Sequence, residues 1–226
     1  MCGGDHQEGF VLEGDATMQA GTGNHAKLAT SLACNRIPTV PYETSLAPTP
    51  YWQPQPLPTA SVDAPTLDWL FDQGSLTRRL TQLSADQFCV TPLCEGWQML
   101  RDAECQALGL APGSEGWVRE VYLLGQDQPW VFARSVAARS ALEEDGLDLE
   151  SLGSRSLGEL LFCDRGFTRQ AIEICRYPSV WLPPDVACDR LWARRSRFDR
   201  GALSVLVAET FLPALWHAAN IRQEDC

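Results

Sequence analysis

A chain of 226 residues with 45% hydrophobic content is long enough for one domain with a sizeable core plus a tail. Its formal charge of −11 argues against a nucleic-acid binder, and its single lysine, Lys27, excludes Schiff-base chemistry anywhere beyond that position. Nine cysteines are scattered without a C-x-x-C, and His6, His25 and His217 have no metal-ligand spacing, so a reduced setting and no metal site are expected.

The first twenty residues, "MCGGDHQEGFVLEGDATMQA", lack the basic start and apolar run of a signal peptide. No apolar run approaches the roughly 18 residues that a membrane span requires. A cytoplasmic monomer is the expectation. Residues 1–65, with eight prolines between Pro38 and Pro65 and no sustained period, read as a disordered extension. The folded domain is expected over 66–226.

That domain opens with "TLDWLFDQGSLTRRLTQL", two short helices hinged at Gly74-Ser75, with Ser75 as the cap of the second. A strand near "QFCVTPL" and a mixed helical stretch from Trp97 to Leu108 follow. "WVREVYLL", the turn "GQDQ" and "WVFARSV" read as an antiparallel hairpin. Ser140 with Glu143 and Ser156 with Glu159 form two capping boxes, the second starting the short helix "LGELLF". "FTRQAIEICRY" reads as one strand, and "LWARRSRF" and "ALSVLVAETFLPA" as a last hairpin turned at "DRG". The class is α+β with antiparallel pairing.

Two charges stand out on apolar strand faces. Alternation puts Arg119 beside Trp117, Val121 and Leu123, and puts Glu209 beside Val205, Val207 and Phe211. A buried charge requires a partner. One reading is an internal Arg119–Glu209 ion pair holding two strands in register. The other places both in a pocket for a small anion with a hydroxyl at its far end, since the arginine fork matches a carboxylate. Arg134 reads as a satisfied structural arginine or else a second anion contact, and Arg194, Arg195 and Arg197 as a solvated hairpin surface or else a patch that attracts an anionic substrate. Cys94, Cys163 and Cys175, in apolar segments, read as packing residues.

The ordered series "LDWL", "GSLTRRL", "WVREVYLL", "PWVFARSV", "LGELLF", "TRQAIEI", "LWARRSRF" and "ETFLPA" resembles the chorismate pyruvate-lyase family over about residues 66–226. The resemblance implies an antiparallel six-stranded sheet with helices packed against it. It implies a lyase that converts chorismate to 4-hydroxybenzoate and pyruvate, the first committed step to ubiquinone, without metal or cofactor. It further implies that Arg119 binds the substrate carboxylate, that Leu157 contacts the ligand and that Glu209 sits at its hydroxyl end. Arg119 and Glu209 are then the catalytic pair. Where the family carries a methionine contact in the opening helical hairpin, this chain has Leu76. The competing expectation is a non-enzymatic effector-sensing domain of the same fold, as attached to winged-helix regulators. Against it, the upstream segment here is acidic and proline-rich rather than basic.

Overall fold

The computed structural model describes residues 49–54, 62–139, 141–142, 155–164 and 166–222, without the side chains of Glu159 and Cys163. Two helices come first, α1 (Ala64–Leu70) and α2 (Leu76–Leu83). Asp63 caps α1 by accepting from the Thr66 N–H at 2.8 Å, and Ser75 caps α2 by accepting from Arg78 N–H at 3.4 Å. Between them Asp72 accepts from the Gly74 N–H at 2.8 Å, which fixes the hinge. These are the helices and the hinge that the sequence predicts.

The sheet that follows is antiparallel throughout. Its six long strands are β2 (Phe88–Met99), β3 (Glu115–Gly125), β4 (Gln128–Ala138), β6 (Glu173–Tyr177), β7 (Leu191–Arg200) and β8 (Leu203–Phe211). Two strands of two residues each, β1 (Gln53–Pro54) and β5 (Thr168–Arg169), raise the total from the expected six to eight. Both are too short to show a period of two in the sequence. The spatial order is β1-β6-β7-β8-β4-β3-β2, with β5 pairing β7. Residues 49–54, assigned to the tail on composition, thus include an edge strand on β6. The remainder of the expected tail up to 48, and the Ser140–Glu143 capping box, lie outside the described residues.

The β3–β4 turn has Gln126 and Asp127 at φ 51° and 60°, the pair of positive values that a two-residue hairpin turn requires. Beside it, a Cβ on Gly125 would stand 2.3 Å from the Trp130 ring, so this position must lack a side chain. Strand β2 runs six residues beyond the expected "QFCVTPL". It passes a bulge between Pro92 and Cys94, and its edge position tolerates a proline. The stretch from Trp97 therefore begins as strand, and only Asp102–Leu108, α3, is helical.

Helices cover both sheet faces. On one, α1, α2 and a C-terminal helix bury Trp69, Leu70, Leu76, Leu80, Leu215 and Trp216 against Val121, Val131, Ala133 and Phe211. Beside them α4 (Leu157–Cys163) packs Leu157 and Leu161 on Trp117, Ala137, Phe198 and Val205. The C-terminal helix is α5 (Pro213–Ala218). On the opposite face α3 packs Cys105 against Val118, Val136 and Leu206. No helix among the described residues is long and apolar enough to cross a membrane.

Three cysteine assignments separate here. Cys175 is buried, as expected of a packing residue. Cys94 is half-buried and disulfide-bonded, as is Cys188, so Cys94 is not a packing thiol. The Cys163 side chain is outside the described residues.

Candidate active site

Register assigns the faces. Glu95, Arg119, Ser135, Val207 and Ser196 are successive cross-strand partners, so they form one row across the face covered by α1, α2 and α4. Val121, Ala133, Glu209 and Arg194 form the neighbouring row. Arg119 and Glu209 thus share a face, two strands and roughly 12 Å apart.

They are not each other's partner, which overturns the internal ion pair of the first reading. Arg119 is 3% exposed and its Nε lies 2.6 Å from Glu95 Oε1. Arg119 Nη2 donates to the Arg155 carbonyl at 3.1 Å, which ties the guanidinium to the segment entering α4. Burial brings the Arg119 pKa down, and the Glu95 carboxylate opposes that effect. Leu157, two residues beyond Arg155, is 6% exposed and packs in the cluster of Trp117. The Trp117 indole N–H is buried and has no acceptor among the described residues.

Glu209 Oε2 accepts from Arg194 Nε at 2.6 Å. Arg194 is 1% exposed, the reverse of the solvated surface expected for "RRSR". Its Nη1 donates to the carbonyls of Trp69 (3.1 Å) and Asp72 (3.0 Å), at the end of α1. One guanidinium therefore holds both the carboxylate and the hinge of the helical hairpin above it. Arg195, the next residue, faces the other side, pairing with Glu173 at 2.8 Å. Arg197 is the most exposed of the three side chains, at 39%.

Leu76, Thr77, Leu161, Phe162, Arg169, Arg194, Ser196, Val207 and Glu209 are among the residues around a small cavity of about 20 Å³. Leu76 is therefore in the lining, at the position where the resemblance has a methionine. Thr77 and Ser156 hydroxyls meet at 2.7 Å, joining α2 to the start of α4 across the top. The Arg119 row meets this lining at Val207 and Ser196; neither Arg119 nor Leu157 is among the lining residues. Among the described residues no group of three or more His, Cys, Asp or Glu could hold a metal.

The hairpin that roofs the cavity has its own clasp. Arg79 donates to Asp68 at 2.6 Å and to Asp72 at 3.1 Å, and its guanidinium lies 3.7 Å from the Trp69 ring centroid. Burial would raise the Asp72 carboxyl, but the Gly74 N–H and Arg79 hold it below its ordinary value.

The sequence marks Arg119 and Glu209 as charges on apolar strand faces, and the resemblance adds Leu157; Glu95, Arg169 and Arg194 carry no such mark. Glu95 was hidden because its strand seemed to stop short of it. Arg194 had a usable signal: alternation puts it on the face of Ser196 and Phe198, with Phe198 marking that side as covered.

A family model described as chorismate lyase matches residues 49–221. The chain is 68% identical over 181 residues to "Probable chorismate pyruvate-lyase 2" of Pseudomonas entomophila, covering 80% of this chain and 98% of that protein. It is 67% identical over 179 residues to "Probable chorismate pyruvate-lyase" of Pseudomonas putida, covering 79% and 97%. Among solved structures, the C-terminal domain of histidine utilization repressor from Pseudomonas syringae pv. tomato overlaps 62% of this chain and 97% of its own, with 9% identity and a TM-score of 0.41. That overlap is too loose to argue from.

Proposed function

The chain belongs to the chorismate lyase family, and we propose from that premise that it eliminates pyruvate from chorismate to leave 4-hydroxybenzoate, the first committed step to ubiquinone. Arg119 takes the ring carboxylate, Leu157 packs on the ligand and Glu209 takes the C4 hydroxyl. The observation that supports this assignment is that Arg119 and Glu209 share a covered face while each is neutralised by a different partner, Glu95 and Arg194. Neither is needed to balance the other, so a ligand can lie between them without leaving a buried charge bare.

The reaction asks for little beyond placement. The C3–O bond breaks and its oxygen becomes the ketone of pyruvate. The C4 hydrogen moves as a proton to the enolpyruvyl methylene, which becomes the methyl group of pyruvate, and the C3–C4 double bond completes the aromatic ring. The leaving oxygen and the departing hydrogen lie on the same ring face, so the substrate's own methylene can receive the proton. The chain then has to hold this near-attack geometry, keep water out and stabilise charge as it develops.

Incubating the purified protein with chorismate, without added metal, is expected to yield 4-hydroxybenzoate and pyruvate in equal amounts. Stable chorismate in the presence of folded protein would refute the assignment. The sensing role, open on the sequence alone, is not favoured, because the curated relatives carry the lyase name over nearly their whole lengths.

A further inference from the structure

Strands β5 and β6 read as one continuous strand in the sequence, and the difference between the two pictures changes where one arginine points. Arg169 pairs with Phe198, and Glu173 pairs with Arg195. Four steps on one side thus match three on β7, so the β5–β6 segment holds one extra residue, a bulge. Unbroken alternation would put Arg169 on the face of Glu173, Cys175 and Tyr177. The bulge puts it on the face of Phe198, Ser196 and Arg194, among the residues around the cavity.

There its surroundings differ from those of the other half-buried or buried arginines of the sheet. Arg119, Arg134, Arg194 and Arg195 each lie within ion-pair distance of a carboxylate. Arg169 does not, among the described residues. Its Nε donates to Ser196 Oγ at 3.0 Å, and its Nη1 reaches the carbonyls of Asp72 (3.4 Å) and Gln73 (3.2 Å). Phe162 and Phe198 flank it, each ring centroid 5.5 Å away. No described acceptor lies on Nη2. Burial first, and the adjacent Arg194 second, bring its pKa down to about 10, opposed by Glu209 and Asp72 at longer range. A cation in that position gains from an incoming anion.

We propose that Arg169 binds the second carboxylate of chorismate, the one on the enolpyruvyl side chain, and so separates substrate from product. This rests on the lyase reading. With the C4 hydroxyl at Glu209, the enolpyruvyl ether on the adjacent C3 necessarily extends from the same end of the ring. Glu209, Arg169 and Ser196 together line that end. The carboxylate there sits next to the bond that breaks, and a guanidinium on it both fixes the side chain over the C4 hydrogen and offsets charge passing into the pyruvate fragment. 4-Hydroxybenzoate carries no such group, so Arg169 would hold substrate and transition state and have no anion to hold on the product.

The test compares Arg169→Gln and Arg169→Lys with wild type by turnover and by binding of two ligands. One is 4-hydroxybenzoate. The other is 4-hydroxy-3-(carboxymethoxy)benzoate, which restores a carboxylate at the C3 position without a bond to cleave. Arg169→Gln is expected to lower kcat/KM for chorismate by about thirtyfold to three-hundredfold and to weaken the diacid by a similar factor. 4-Hydroxybenzoate should bind within about threefold of wild type, and Arg169→Lys should fall between. Equal weakening of both ligands would overturn the proposal and leave Arg169 as a tether for the helical hairpin. So would unchanged turnover. If the variants do not fold, wild type still decides: the diacid must bind more tightly than 4-hydroxybenzoate, and the reverse order refutes the assignment. A wild-type protein that neither consumes chorismate nor binds 4-hydroxybenzoate refutes the lyase reading instead.

Discussion

Arg194 and Arg195 are neighbours in the chain and point to opposite sides of the same strand, into two differently built arginine networks. On the α3 face, Arg134 is 5% exposed and donates to Glu104 at 2.6 and 3.1 Å and to Glu120 at 2.8 Å. Arg101 extends this cluster to the Tyr177 hydroxyl at 2.8 Å. Carboxylates outmatch the buried cation there, and the Arg134 pKa is pushed up accordingly, against the effect of burial. On the other face burial prevails: Arg119 and Arg169 are both brought down. A closed network holds a fold, whereas Arg169, with no carboxylate within ion-pair distance among the described residues, is suited to receive an anion. The same residue type, at similar depth, serves two ends according to how many carboxylates accompany it.

The largest expected effect is on the closed side. Arg134→Ala leaves Glu104 and Glu120 without their cation and is expected to cost about 3–5 kcal/mol of stability. A urea titration checks this, and any folded remainder should keep its affinity for 4-hydroxybenzoate. Arg119→Ala should behave in the opposite way. Its carboxylate partner, Glu95, is 25% exposed, so water takes over part of the solvation. The urea midpoint should move little, whereas kcat/KM should fall by about thirtyfold to a thousandfold, as for a lost charge-assisted contact. Collapse of Arg119→Ala with normal affinity in the folded fraction would erase the distinction between the faces.

Acid sharpens the comparison. Burial would raise the Glu104 carboxyl, but Arg134 and then Arg101 hold it below the ordinary range. Its stabilising contribution is therefore complete above the unfolded-state pKa of about 4.3 and is lost as pH falls through the lower folded value. Glu104→Gln should be less stable than wild type by about 2–3 kcal/mol at pH 7, with the gap closing below about pH 4. A gap that stays constant across that range would show that shape rather than charge holds α3 in place.

A smaller change is expected at the clasp of the helical hairpin. Arg79→Ala removes the Asp68 and Asp72 contacts and the stacking on Trp69, about 1–2 kcal/mol in total for partly exposed bridges. If the hairpin gates the cavity, 4-hydroxybenzoate should dissociate about threefold to fivefold faster, by stopped-flow, with stability lowered only by that amount. Smallest of all should be the loss of residues 1–48, expected to leave turnover within about twofold. The Pseudomonas entomophila relative is matched over 98% of its length by 181 residues of this chain, and the family match begins at 49. A steady-state assay on the truncated protein checks it.

Much of this was open to reading from residue order. The hinge at Gly74-Ser75, the hairpin through "GQDQ" and the alternation that exposes Arg119 and Glu209 as charges on apolar faces are local patterns, and local geometry obeyed them. What escaped depended on distant partners or on broken periods. Nothing near Arg194 in the chain announces that the carbonyls of Trp69 and Asp72 will meet it. Strand β2 hides Glu95 behind a bulge, so the carboxylate that neutralises Arg119 sits where a strand seemed to have ended. Two residues of strand, at β1 or β5, are too few for any pattern to declare itself.

The extra residue between Arg169 and Glu173 acts as a reading frame in space. Remove one residue there and restore continuous pairing with β6 in place, and Arg169 changes sides, carried from the cavity to the α3 face. No side chain would have been substituted. Families that share this sheet could therefore gain or lose a cation at this pocket by counting, through a single-codon insertion or deletion, rather than by mutation of the cation itself.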